Sequence, residues 1–427
     1  MLAPLRALAS DTLRHWGGEL RLMPGMVVSA DKWQAKWQKG RGNMALDVRL
    51  TRASLPADSN DYDRDYNYPT LSVAAKWSLN HGVTMHKGER FWGADAAMKE
   101  VDYDSRMGNI ISVYGEWARP LLRNKRWEID YSLALGAGWS RRKYNQTDNI
   151  DNELVGSRWL IYVGLGAHAT YHFARDWGLR AGLDFYHHSN AALHRPNKGA
   201  NMLSPSIGIV YQPYYESTVG ATYSHVARAP WARYWYLNIA AGIGARTLEE
   251  EWQYTQFSTS PSDADYRQSH FKRYAVVTMQ ADVMCRYARR WATGAGVDLF
   301  YCNDVGRAEE INTLMGTDGT GIKPWSVGLA VKHEAFYRQL SVNTSLGFYV
   351  YRRTGEMGKR LDKPIYERIG VNYTLPRQWG GLKVGFNVKA HATKADYAEL
   401  VVAKAFTLTK KKNQKNELKV LYLPKKQ

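Results

Sequence analysis

The 427-residue chain has no apolar run near the ~20 residues that a membrane helix requires, which excludes helical membrane spanning. Cysteine is nearly absent. Cys285 and Cys302 are the only two, they stand near opposite ends of one expected hairpin, and their register is too far apart for pairing. No Cys-x-x-Cys pair, Gly-x-Ser-x-Gly elbow or phosphate-binding loop occurs, so the sequence lacks the signatures of thiolate metal centres, α/β-hydrolases and P-loop NTPases. Mean hydropathy is low at -0.49. Transmembrane β-strands escape this test, because lipid-facing and lumen-facing residues alternate and the average stays polar.

What is present fits that exception. The chain holds 16 Trp, 28 Tyr and 36 Gly, generous counts for girdles and tight packing. Its net charge is +18, but Lys and Arg are scattered and no nucleic-acid-binding motif accompanies them. A basic lumen, or basic rims facing anionic lipid head groups, accounts for the charge better, so no nucleic-acid partner is expected. The Lys-rich tail 409–427 reads as a solvated end.

Several segments alternate with period two. Trp127, Ile129, Tyr131, Leu133, Leu135, Ala137 and Trp139 share one face, against Glu128, Asp130, Ser132, Gly136 and Gly138. The segment 159–173 and the segment 382–390 repeat the pattern, each roughly the length of a tilted membrane strand, about 9–11 residues. Connections at 140–157, 190–202, 246–270, 302–324 and 351–363 are long, whereas those at 173–176, 286–290, 335–338 and 374–379 are short. Such alternation is expected of extracellular loops and periplasmic turns. The connection 213–234, with a strand-like piece at 217–226, breaks the rhythm and is taken as a long periplasmic connection.

Internal echoes recur. Phe173-Ala-Arg-Asp-Trp177 returns as Tyr287-Ala-Arg-Arg-Trp291, and a weaker third copy begins at Arg377. Hairpin blocks have been duplicated. The expected fold class is all-β: one antiparallel transmembrane β-barrel of about 14–16 strands with internal hairpin-block repeats. It occupies residues 19–408, with an N-terminal segment 1–18 and the tail 409–427. The first ten residues lack an apolar core and cleavage site, whereas export is required, so a removed signal or displaced start is expected. Phe406 is expected to close the last strand.

Chemistry gathers in one place. Trp177, Leu179, Ala181, Leu183 and Phe185 form an apolar face that continues to His187 and Ser189. A base and a hydroxyl nucleophile thus lie on the lipid side of a strand, at the end that enters a long loop. A serine hydroxyl needs a base within reach, and its tetrahedral intermediate needs preorganised donors. An ester in the surrounding lipid is the substrate that position favours. His187 and His188 point to opposite faces, so the trio with His194 is not read as a metal site, and no cofactor is implied.

Residues Phe185-Tyr-His187-His188-Ser189-Asn190-Ala191, followed by Pro196-Asn197-x-Gly199, resemble the PagL-type lipid A 3-O-deacylase family of outer-membrane barrels. The resemblance is specific over about 25 residues, around 185–201. It implies a serine esterase of the Gram-negative outer membrane whose partner is lipid A, or lipopolysaccharide. Carried over by position, Ser189 is the nucleophile and His187 the general base, while Asn190, Asn197 and Gly199 serve the oxyanion or position the loop. The family's triad acid is a glutamate two residues after the signature glycine; Asn201 stands there. Parity with Leu203, Pro205, Ile207 and Ile209 keeps Asn201 beside the pair. Asparagine can orient a histidine but cannot offset an imidazolium charge, so a weaker enzyme is expected. Arg195 and Lys198 are candidates for contacting lipid A phosphates. The family's founding members are much shorter, and the second copy carries Tyr301 and Asn303 where His187 and Ser189 stand, so one site is expected.

Two rival readings remain. A non-catalytic barrel, porin-like or structural, would keep the motif for loop packing, with lumen Lys383 and Lys389 favouring anions. A soluble all-β carbohydrate-binding or adhesion protein is the other, and only a membrane barrel would partition into detergent and shift mobility on heating.

Overall fold

The computed structural model describes residues 15–88, 101–219, 231–392 and 394–409. The first part builds β1 (Trp16–Val28), β2 (Gln38–Ala53), β3 (Thr70–Met85), β4 (Ser105–Arg106), β5 (Ile110–Arg123), β6 (Trp127–Ser140), β7 (Trp159–His172), β8 (Trp177–Ser189) and β9 (Ala200–Tyr211). Each strand pairs antiparallel with the next, the two-residue β4 only capping β3, and β1 pairs with β9 to close an eight-stranded barrel. The second part builds β10 (Tyr234–Arg246), β11 (Tyr274–Arg286), β12 (Trp291–Cys302), β13 (Trp325–Tyr337), β14 (Leu340–Tyr351), β15 (Ile365–Thr374), β16 (Lys383–His391) and β17 (Lys394–Thr407). Here β10 pairs with β17, closing a second barrel of eight.

The all-β antiparallel barrel class is as expected, but the single large barrel over 19–408 is corrected to two small ones. Alternation reports which face a residue occupies, not how many strands surround the axis, so it could not separate the two closures. The repeat shows the unit. Trp177 opens β8, Trp291 opens β12 and Trp379 stands four residues before the start of β16, one echo every four strands. Two such blocks complete eight. Residues 1–14, 220–230 and 410–427 lie outside the described residues, and with them most of the N-terminal segment, of the strand-like piece at 217–226 and of the Lys-rich tail.

The apolar faces point outward. Trp127, Ile129, Leu133, Leu135 and Trp139 of β6 are exposed, whereas Glu128, Asp130 and Ser132 are buried inside. Trp127 and Trp139 mark the two ends of that face. Their spacing, at about 3.3 Å rise and about 45° tilt, gives a band of roughly 28 Å, the thickness of a membrane's apolar layer.

An eight-stranded barrel leaves an interior that side chains fill, and both lumens here are filled by paired charges. In the first, Arg180 donates to Asp130 at 2.7 Å, and the His168 ring lies 3.3 Å from Asp130 and 3.1 Å from Asp184. Gly182 admits that ring: a Cβ there would lie 2.3 Å from His168 Cδ2. In the second, Lys332 binds Asp298 at 2.5 Å and Asp282 at 2.7 Å, and Tyr366 donates to Asp298 at 2.7 Å. Lys383 and Lys389, expected to tune a lumen for anions, are held by Glu334 at 2.5 Å and Asp396 at 2.6 Å. Cys285 and Cys302 are free thiols, facing Thr293 and Val276 in register.

The barrels are joined at both ends. At the short-turn end, α1 (Asp61–Asp65) from the β2–β3 connection offers Asp63 to Tyr337 at 2.7 Å and Asp61 to Arg289 at 2.8 Å. At the long-loop end, α2 (Glu249–Phe257) of the second barrel packs Trp252 against Tyr144 and Phe257 against Trp33, with ring centroids 5.3 and 5.9 Å apart. Arg267, further along the same connection, donates to Asp151 at 2.6 Å and to the Ile150 carbonyl at 2.9 Å. Trp33 lies in the β1–β2 connection and Tyr144 in the β6–β7 connection, so this one connection of the second barrel meets two loops of the first.

Candidate active site

β8 sets the site by parity. Trp177, Leu179, Leu183 and Phe185 point outward and are exposed, while Arg180, Asp184 and His188 point inward. His187 continues the outward face and is half-buried; Ser189 ends the strand and is 9% exposed. His188 belongs to the lumen, where its ring meets the Ser112 hydroxyl at 2.9 Å. The two histidines therefore serve different faces, as the alternation requires.

Asn201 lies directly opposite His187 in the β8–β9 ladder. Its Oδ1 is 2.7 Å from His187 Nδ1. An amide oxygen only accepts, so this contact puts the ring proton on Nδ1 and leaves the Nε2 lone pair free. Among the described residues the Ser189 hydroxyl has no hydrogen-bond partner, the His187 ring included. Such contacts commonly tighten only when substrate is bound. Gly199, at φ 76°, makes room for the ring: a Cβ there would lie 2.4 Å from His187 Cε1.

The loop after Ser189 is folded tightly on itself. Asn197 Oδ1 accepts the Asn190 amide at 2.9 Å, and Asn190 Oδ1 accepts the His194 amide at 3.3 Å. Asn190 Nδ2 is buried and has no partner among the described residues. A buried donor without an acceptor is free to bind an oxygen of a ligand. Lys198 and Gly199 donate their amides to the Glu153 and Leu154 carbonyls, each at 3.1 Å, which fixes the loop against the β6–β7 connection.

The two basic candidates part company. Lys198 stays at the surface and binds Asp31 at 2.6 Å. Although burial opposes it, Gln34 and Lys198 hold the Asp31 carboxyl below its usual range. Arg195 is 4% exposed, ion-paired with Glu249 and hydrogen-bonded to the Thr247 carbonyl at 3.2 Å. Its place in contact with a lipid phosphate is thus corrected: its guanidinium is spent inside the junction of the barrels. Thr247, Glu249 and Arg273, all from the second barrel, are the residues near the site that the sequence did not indicate. They share neither strand nor repeat with the motif.

Two antiparallel β-barrels with outward apolar faces, the first carrying a His187–Asn201 pair at its long-loop end, are the class that fold and site define. Two family models then separate along the two barrels: residues 62–210 match lipid A 3-O-deacylase (PagL), and residues 235–410 match the acyloxyacyl hydrolase C-terminal domain. Both barrels thus match models of PagL-related outer-membrane proteins, one model to each. Among solved structures it is similar to the outer membrane enzyme PagL, at 14% identity over 45% of this chain and 98% of that one, with a TM-score of 0.27. A mutant Rh. blastica porin is matched at 7% identity over 92% of this chain and 99% of that one, with a TM-score of 0.15. No curated protein sequence matches.

Proposed function

We propose that the chain is an outer-membrane esterase that removes an ester-linked acyl chain from lipid A, with Ser189, His187 and Asn201 as its catalytic residues. The observation that carries this is the His187–Asn201 contact of 2.7 Å, on β8 two residues before Ser189. In this reading the long-loop end is extracellular, and the site meets lipopolysaccharide in the outer leaflet of a Gram-negative outer membrane. Ser189 Oγ bonds to the ester carbonyl carbon while its proton passes to His187 Nε2. The oxyanion is received by donors of the 190–199 loop, the free Asn190 Nδ2 among them. Collapse breaks the ester, and the sugar alkoxide leaves with the proton from His187. Water, deprotonated by the same ring, then releases the fatty acid from Ser189.

The paired charges that fill both lumens favour this reading over a pore. Acyl loss from lipid A, followed by mass spectrometry with the purified protein in detergent, tests it beside Ser189→Ala. Release of one acyl mass only with the intact serine is expected. Equal release from both proteins, or none from either, would refute the assignment.

A further inference from the structure

The first barrel carries every residue of the proposed reaction, yet the loop that follows its nucleophile is tied to the second barrel. Ala191 and Ala192 have φ of 48° and 64°, two successive left-handed residues without glycine. Such a conformation persists only where its surroundings over-determine it. The Ala192 carbonyl accepts both the Thr247 amide at 2.9 Å and the Thr247 hydroxyl at 2.8 Å. Arg195, three residues on, returns a hydrogen bond to the Thr247 carbonyl at 3.2 Å and an ion pair to Glu249. Arg273 Nε donates to the Leu193 carbonyl at 3.1 Å, and its guanidinium also meets the His194 ring. Thr247 is fully buried, so this is an interior junction rather than a surface touch.

We infer that the second barrel is a positioning unit for the site on the first: Thr247 and Glu249 hold residues 191–195 in the strained form from which the His194 amide fixes the Asn190 side chain. Thr247, Glu249 and Arg273 are positioning residues, acting through the loop and not on substrate. This inference rests on the esterase reading, and it explains why a chain with one site keeps a second, closed barrel. A first barrel alone would have to hold two left-handed alanines with its own loop contacts.

Thr247→Val and Glu249→Gln, singly and together, test it in the full chain, with heat-dependent gel mobility to confirm folding. Glu249→Gln removes a negative charge, so a slower reaction cannot come from weaker attraction of an anionic lipid. The expected result is a fall in kcat of about tenfold or more with KM nearly unchanged, as for a misplaced catalytic group. Amide exchange at 191–195 should rise by a similar factor while β8, β9 and β10 keep their protection. Thr247→Ser, which retains the hydroxyl, should restore both. Unchanged exchange at 191–195 in the double variant would overturn the clamp. Faster exchange with unchanged kcat would overturn its role in positioning. A wild-type protein no more active than Ser189→Ala would instead refute the esterase reading, and with it the catalytic meaning of a clamp that exchange alone had detected.

Discussion

His187 and Asn201 face each other across the β8–β9 ladder, with Nδ1 and Oδ1 2.7 Å apart. The amide fixes the tautomer but brings no charge to offset the imidazolium that the proposed reaction forms when His187 takes the serine proton. Asn201→Asp keeps the cross-strand position and adds that charge. Acyl release is expected to rise by about ten- to hundredfold, less than the full effect of a triad acid because the tautomer is already correct. Asn201→Leu should lower it by about a hundredfold by freeing the ring. Rates from lipid A measured by mass spectrometry decide this. An aspartate variant no faster than wild type would mean that the contact serves packing alone.

Gly199 gives the second prediction. An alanine there meets the His187 ring at 2.4 Å and must also hold φ 76°. Strain should cost about 1–2 kcal/mol, and displacement of the ring should cut acyl release by about a hundredfold. Gly316→Ala separates the two effects, since Gly316 has φ 65° with no atom within 4 Å of the added Cβ. It should lose stability alone. If both variants retain full activity, His187 is not the base.

Strand period and loop length were legible because each is a local property of the chain. The outward face of β8, the partnership of His187 with Asn201 and the alternation of long loops with short turns all follow from counting residues. Closure was not legible. Whether β9 returns to β1 or continues to β10 depends on pairing over nearly two hundred residues, and the alternation is the same either way. Charge misled in the same manner. Arg195, Lys383 and Lys389 read as free cations in a basic sequence; their partners Glu249 and Glu334 lie in another barrel or far along the chain, and Asp396 meets Lys389 only once β16 and β17 pair.

Those pairs lead to the third prediction. Both lumens are crossed by buried ion pairs, among them Arg180 with Asp130 at 2.7 Å in the first and Lys332 with Asp298 at 2.5 Å in the second. Eight strands leave no aqueous channel once such side chains fill the interior. The protein reconstituted in a planar bilayer should show no stepwise conductance. Regular porin-sized steps from heat-modifiable, purified protein would show that a lumen opens, and would favour the non-catalytic barrel.

The junction between the barrels should weaken in acid, and the sign follows from two groups. Burial would raise the Glu249 carboxyl, but Arg195 and Lys394 hold it down at about 2, against an ordinary 4.5. A depressed carboxyl stabilises the joined form above pH 4.5, and that contribution is lost as pH falls through 2. The shift corresponds to about 3 kcal/mol at neutral pH. The His194 ring is pushed from 6.5 to about 4 by burial and by Arg273, Lys143 and His270. It joins the contact in its neutral form, so its contribution is full above pH 6.5 and declines as pH falls towards 4. Both effects run the same way. Amide protection at 191–195, corrected for the intrinsic exchange rate, should be greatest above pH 6.5, decline towards pH 4 and collapse towards pH 2. Glu249→Gln should flatten the lower part of that curve and leave the upper part intact. Protection that stays level from pH 7 to pH 3 in the wild-type protein would show that neither group holds the barrels together at the loop.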